Sequence, residues 1–171
     1  MKFKTDLIEI ASKKIIHIPV EYSQSLPSRG LVMAKVTIAD ISAILPIEPD
    51  GKGSHWFELD ENFIKDLDLE SLENLEIDLE PIKEWPEPDM PEDILTGLES
   101  EGLIEFWNSI TTKAKWEWLR WIRSTSNPDT RAKRIEVASS KMKAGDKRPC
   151  CFNASSCTVP EVSKSGVLKD Y

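Results

Sequence analysis

The stretch KEWPEPDMPEDILTGL, residues 83–98, marks where one kind of sequence stops and another begins. Before it, apolar residues recur at every second position; after it, at every third or fourth. Those are the periods of a strand and of a helix. Pro86, Pro88 and Pro91 deny the chain a regular hydrogen-bond ladder across the changeover, so the β part ends here and an extended connector begins. Pro91 then stands at a favoured first helical position. Glu92 and Asp93 follow in the first turn, where a helix dipole favours anions, and Ile94, Leu95 and Leu98 form the buried stripe. The expected class is α+β, with a β domain over 1–85, the connector and a helical module over 86–145, and an irregular C-terminal strap over 146–171.

Read backward from the connector, LEIDLEPI (75–82) puts Leu75, Ile77 and Leu79 on one side and Glu76, Asp78 and Glu80 on the other, a half-buried strand with an anionic outer face. LVMAKVTIADISAIL (31–45) reads as a hairpin: Val32, Ala34, Val36 and Ile38 share a face, the chain turns at Ala39-Asp40, and Ile41, Ala43 and Leu45 return. IHIPVEYSQSL (16–26) and FELDENFIKDL (57–67) share one pattern, a strand followed by a short helix starting at Pro19 or Asp60, which suggests an internal pseudo-repeat. Gly51-Lys52-Gly53 reads as a flexible strand-to-strand loop, because a phosphate loop needs more glycines and a helix directly behind it.

Read forward, Leu103, Phe106, Trp107 and Ile110 mark a helix, and Thr111 or Thr112 caps the next. Asn127 caps the last, with Pro128 just inside it and Gly145 just past its end. On the helix 112–124, Ala114, Trp118, Trp121 and Ile122 fall on one face as core. Trp116, Leu119, Arg120 and Arg123 gather on the other, and that second face requires a partner. On the helix 128–144, Arg131 shares the stripe of Ile135, Ala138 and Met142. A guanidinium aimed at a core must meet a carboxylate or backbone carbonyls, so Arg131 is expected to make a structural ion pair or carbonyl clamp fixing how the two helices cross. Lys133 and Arg134 are expected to point outward.

Composition narrows the function classes. The content of 40% hydrophobic and 30% charged residues in a 171-residue chain fits a globular protein with a real core, and no apolar run approaches the roughly 18 residues of a membrane span. Residues 1–14 alternate charged and apolar positions and lack the apolar core of a secretory signal, so a cytoplasmic location is expected. Residues 1–105 hold 9 Lys and Arg against 24 Asp and Glu, a balance of −15, whereas residues 106–171 hold 13 against 6, a balance of +7. An acidic domain repels a phosphate backbone and attracts a cationic helical module of its own or a neighbouring subunit. Self-packing is therefore favoured over a protein partner, and a protein partner over nucleic acid. Cys150, Cys151 and Cys157 are an odd, local set, better read as reduced thiols than as a disulfide framework or a zinc site.

These residues carry a resemblance. Phe106, the run WLRWI (118–122), Thr130-Arg131 with Arg134-Ile135, and the finish near Gly145 resemble the helical module of the YdeI/OmpD-associated, or bacteriocin-protection, family. Pro91-Glu92-Asp93-Ile94 through Leu98 is similar to the segment that precedes it there. The N-terminal part resembles a small domain of unknown function with a double-split β-barrel, related in architecture to AbrB and MazE regulators. Glu73-Asn74 stands where that family commonly has a Gly-Asp turn. The resemblance implies a small double-split-like β-barrel ahead of a three- to four-helix module, and protection against bacteriocins or cationic antimicrobial peptides through protein contacts. It implies no established reaction and so no catalytic residues.

The residues themselves offer no reaction either. Glu76, Asp78 and Glu80 lie on an outward face; His17 alternates with Ile16 and Ile18 and points away from the core; His55 sits by a glycine loop. No nucleophile–histidine signature, phosphate loop, cofactor motif or zinc motif is present. The expectation is a non-enzymatic interaction protein with no cofactor or metal. Its partner is a protein of unknown identity or a second copy of the chain, met by Trp116, Leu119, Arg120, Arg123, Lys133 and Arg134. The alternative is a DNA-binding transcriptional regulator with an AbrB-like dimeric barrel, using Lys13, Lys14, Arg29, Lys35 and Lys52.

Overall fold

The computed structural model describes residues 1–171 and divides into two units. The first comprises residues 1–83, 154–157 and 161–171; the second comprises 84–153 and 158–160.

The first unit is a seven-stranded antiparallel sheet built from β1 (Lys2–Thr5), β2 (Leu7–Ile10), β3 (Lys13–Ile18), β4 (Val32–Ile38), β5 (Ile41–Pro49), β6 (His55–Glu58) and β7 (Leu75–Pro81). The strand order is β1-β7-β4-β5-β6-β3-β2. β1 and β2 are separated in sequence by Asp6 alone yet occupy opposite ends of that order. One residue spans only about 3.3 Å, so the sheet must curl until its two edges approach each other. The expected α+β class with a barrel-like sheet is what forms.

Register follows the hydrophobic alternation. Val36 lies opposite Leu79 and Ile38 opposite Ile77, which sends Val32, Ala34, Val36, Ile38, Ile77 and Leu79 into one core. Glu76, Asp78 and Glu80 face outward, where Lys4, Lys2 and Lys35 lie across from them in turn. The β4–β5 hairpin turns at Ala39-Asp40 with φ of 46° and 68°. Ala11-Ser12 repeats that geometry between β2 and β3, with φ of 50° and 67°. Two positive φ values match the right-handed twist of the flanking strands. The two strand–helix segments also form: α1 (Val20–Ser23) starts after Pro19, and α2 (Glu61–Leu67) is capped by Asp60, whose carboxylate accepts from the Phe63 amide at 2.8 Å.

The C-terminal tail departs from the irregular strap expected of it. Ser163–Lys164 (β8) and Val167–Leu168 (β9) form a short hairpin, Val162 and Cys157 are buried, and the Leu168 amide donates to the Asp50 carbonyl. Gly51, at φ 77°, allows this closure, since a Cβ there would collide with the Gly166 carbonyl. Two-residue strands carry too little alternation to show in a sequence.

The second unit holds α3 (Glu92–Ser100), α4 (Ile104–Ser109), α5 (Thr112–Arg123) and α6 (Pro128–Lys143). Their boundaries follow local chemistry. Pro91 is the N-cap of α3, so that helix starts one residue later than expected; Thr111 caps α5 by accepting from the Ala114 amide at 3.1 Å; Asn127 caps α6 by accepting from the amides of Asp129 and Thr130. α6 ends in a Schellman motif: Asp146 N–H donates to the Lys141 carbonyl and Gly145 N–H to the Met142 carbonyl, with Gly145 at φ 91°. Ile94, Leu98, Trp107, Trp118, Ile122 and Met142 close the core. Gly97 lets α3 approach α6, because a Cβ at that position would sit 2.7 Å from the Ile135 Cγ2. No helix is long and apolar enough to cross a membrane.

Candidate functional site on the helical module

α5 carries the densest set of suggestive residues, and its internal face is as expected. Ala114, Trp118 and Ile122 are buried; Trp121 is half-buried and meets Trp118 edge-to-face, with ring centroids 6.1 Å apart. The Trp118 indole Nε1 donates to the Lys147 carbonyl at 2.9 Å, tying the loop after α6 back to α5.

The opposite face is not the open patch expected of it. Arg120 is 1% exposed and Leu119 is 8% exposed, so neither offers side-chain surface to an incoming partner. Within the module the Arg120 guanidinium lies 5.3 Å above the Phe152 ring, a cation–π contact that helical spacing alone does not foresee. Trp116 is half-buried and donates from Nε1 to the Pro86 carbonyl at 2.8 Å. Arg123, also half-buried, donates from Nη2 to the Thr158 Oγ1 at 3.1 Å. A face that cannot stay solvated without exposing indole and leucine surface has been folded into the module.

α6 distributes its cations differently from expectation. Arg131 makes a bidentate pair, Nε to Asp93 Oδ2 at 2.7 Å and Nη2 to Asp93 Oδ1 at 3.0 Å. The pair ties α6 to α3, not to α5, and is partly solvated, with side chains 27% and 49% exposed. The Arg131 hydrogen bond holds the Asp93 carboxyl below its ordinary value and raises the guanidinium. Arg134, expected to point outward, instead clamps the end of α5: Nη1 donates to the Trp121 carbonyl at 2.9 Å and to the Ser124 Oγ at 2.7 Å, and the guanidinium lies 5.7 Å over the Trp121 ring. The last carbonyls of a helix attract cations, and that attraction aims Arg134 inward. Lys133 is exposed and lies 3.4 Å from Glu136.

One cluster escapes sequence reasoning. The connector segment Trp85-Pro86-Glu87 grips the start of α5: Glu87 accepts from Lys115 Nζ and Thr112 Oγ1, each at 2.9 Å, and Lys113 lies 5.3 Å over the Trp85 ring. Those hydrogen bonds, Lys115 first, lower the Glu87 pKa. Lys115 is a buried cation, 6% exposed. In a sequence, cations spaced along one helix signal only a solvated face unless the carboxylates that meet them are known.

In the first unit both histidines are structural partners. His55, beside the glycine loop, is the first residue of β6 and is fully buried. Its Nε2 donates to the Gly30 carbonyl at 2.9 Å, so its Nδ1 accepts from the Ser23 hydroxyl at 2.8 Å. Burial pushes its pKa down. That serine–histidine pair has a catalytic look but no solvent-accessible surface, since Ser23 and His55 are both 0% exposed. His17 Nε2 donates to Asp50 Oδ2 at 3.0 Å, and its Nδ1 accepts from the Tyr171 hydroxyl at 3.0 Å, beside a shallow cleft of about 340 Å³ lined also by Lys52 and Lys169. The other Asp50 oxygen accepts from the amides of Lys52 and Ser54, so the glycine loop satisfies its own carboxylate instead of cradling a phosphate. No three His, Cys, Asp or Glu side chains converge on one point.

A curled antiparallel sheet followed in sequence by four helices defines an α+β protein, and within its helical module tryptophan and arginine side chains are held by carbonyl, carboxylate, hydroxyl and ring partners of that same module. Residues 87–145, 59 of the 171, match the family described as bacteriocin-protection, YdeI or OmpD-associated. The resemblance carried by WLRWI and the Thr-Arg-x-x-Arg-Ile succession is thereby shown for the helical module, while the sheet lies outside the matched residues. No curated protein and no solved structure matches the chain.

Proposed function

We propose that this is a non-enzymatic interaction protein that protects against bacteriocins or cationic antimicrobial peptides through protein contacts made by its helical module. The observation that carries the reading is the match to the bacteriocin-protection family over 87–145. Leu119, Arg120, Arg131 and Arg134 hold the module in shape, and the rim formed by Trp116 and Arg123, with Lys133 outward on α6, is the edge that meets a partner. Half-buried tryptophan and arginine at a rim lose little freedom on binding, which suits them to that task. The location in the reading is the cytoplasm, to which three unbridged cysteines are suited.

The regulator alternative draws no support from the geometry. Of the five sheet-domain cations it needs, Lys13 pairs with Glu58, Lys14 with Glu9 and Lys52 with Asp170; Arg29 bonds the Ser23 carbonyl, and Lys35 lies across from Glu80. Cations already met by carboxylates release few counterions on binding phosphate.

The test is photo-cross-linking in cells challenged with a bacteriocin, using the full chain with a photoreactive phenylalanine derivative at position 133 or at position 35. A discrete protein adduct from 133 and none from 35 is the expected result. No adduct from 133, or retention of duplex DNA by the purified chain that weakens steeply with salt, overturns the reading.

A further inference from the structure

Cys150 and Cys151 are neighbours in sequence, both exposed, with their sulfurs 2.9 Å apart. Adjacent side chains in extended backbone point to opposite sides. Here a turn with Cys151 at φ 59°, a left-handed conformation that non-glycine residues rarely adopt, swings both thiols to the same side. A left-handed conformation is unfavourable for cysteine, and in this turn its effect is to bring the two sulfurs together. The loop is tethered on both sides: Trp118 holds the Lys147 carbonyl, and Phe152 lies against the Arg120 guanidinium. The third thiol, Cys157, is 2% exposed and belongs to the other unit.

We propose that Cys150 and Cys151 form a reversible dithiol–disulfide couple that exchanges with small-molecule disulfides. In the forward direction the Cys150 thiolate attacks one sulfur of a disulfide R–S–S–R, giving a mixed disulfide on Cys150 and releasing one RS⁻. The Cys151 thiolate then attacks the Cys150 sulfur, closing an eight-membered ring and releasing the second RS⁻. The protein loses two electrons and two protons, the disulfide gains both, and the products are two RSH. The hydrogen bond to Cys150 raises the Cys151 pKa, so Cys151 stays a thiol during the first attack and gives up its proton to attack in the second step.

The couple is a switch and not a staple, for a geometric reason. Bridged cysteines normally have Cα atoms about 4.4–6.8 Å apart, whereas adjacent Cα atoms across a trans peptide are about 3.8 Å apart. A ring closed at the shorter distance is strained, and strained, exposed disulfides are the readily reduced ones. Closing it also re-aims Phe152, the next residue, relative to Arg120.

The experiment uses the full chain, incubated with glutathione disulfide, quenched by alkylation and analysed by intact mass and non-reducing peptide mapping. Wild type is expected to lose two hydrogens in the peptide containing residues 150 and 151, with no glutathione retained, and to recover both on adding reduced glutathione. Cys151→Ser should trap a glutathione adduct on Cys150 that lasts at least about tenfold longer than in wild type. Cys157→Ser should behave as wild type. The proposal is overturned if both thiols remain alkylatable in glutathione disulfide alone, if the wild-type adduct persists as long as in Cys151→Ser, or if oxidation yields only cross-linked dimers.

Discussion

Replacing Asp50 by asparagine perturbs one well-defined junction of the sheet unit. The carboxylate is buried, 3% exposed, and burial by itself would raise its pKa. The hydrogen bond from His17 and those from the Lys52 and Ser54 amides outweigh that and bring it from 3.8 down to about 2. At roughly 1.4 kcal/mol per pH unit, that difference is about 2 kcal/mol of stability held by the ionised form. The folded-state pKa is the depressed one, so the contribution is fully present above pH 3.8 and is lost as pH falls toward 2. The amide of an asparagine does not ionise, so the substituted chain lacks this dependence altogether. In urea unfolding followed by circular dichroism, Asp50→Asn should therefore be less stable than wild type by about 2 kcal/mol at pH 6, and the gap should close progressively below pH 4. A gap that stays constant down to pH 2.5 would refute the reasoning, because the effect would then be one of shape and not of charge.

Gly97→Ala should destabilise the helical unit by about 1 kcal/mol, since forcing a Cβ against Ile135 outweighs the gain of about 1 kcal/mol in helix propensity; a raised melting temperature would contradict this. Trp118→Phe should cost about 1–3 kcal/mol in thermal melts through the lost bond to the Lys147 carbonyl and the void left behind. A double-mutant cycle on Asp93→Asn and Arg131→Met should give a coupling below about 1 kcal/mol, because the pair is partly solvated, and raised salt should shrink it.

Much of the fold is legible in the sequence because single elements state their own boundaries. Residues 34–38 and Leu75–Pro81 alternate cleanly, and Thr111, Asn127 and Gly145 punctuate the helices with chemistry that acts over three or four residues. The β2–β3 hairpin is not legible, since Ala11-Ser12 lacks the glycine or asparagine that signals positive φ. The tail hairpin is too short to show a period at all. The candidate site is legible as a face but not as a set of bonds. Helical spacing groups Trp116, Leu119, Arg120 and Arg123, yet the groups that claim them, the Pro86 carbonyl, the Phe152 ring and Thr158, come from irregular segments 30 or more residues away in sequence. Arg134 turns inward for a related reason: its acceptors are the Trp121 carbonyl and Ser124 at the end of another helix, and they leave no signal in its own neighbourhood.

Survival of cells expressing the chain, challenged with a bacteriocin or a cationic antimicrobial peptide such as polymyxin B, tests the central claim most directly. Cells carrying wild type should survive at least about tenfold better than cells carrying a Trp116→Ala, Arg123→Ala, Lys133→Glu variant that is equally abundant and melts at the same temperature. Equal survival of the two strains, or no protection by wild type, would contradict it.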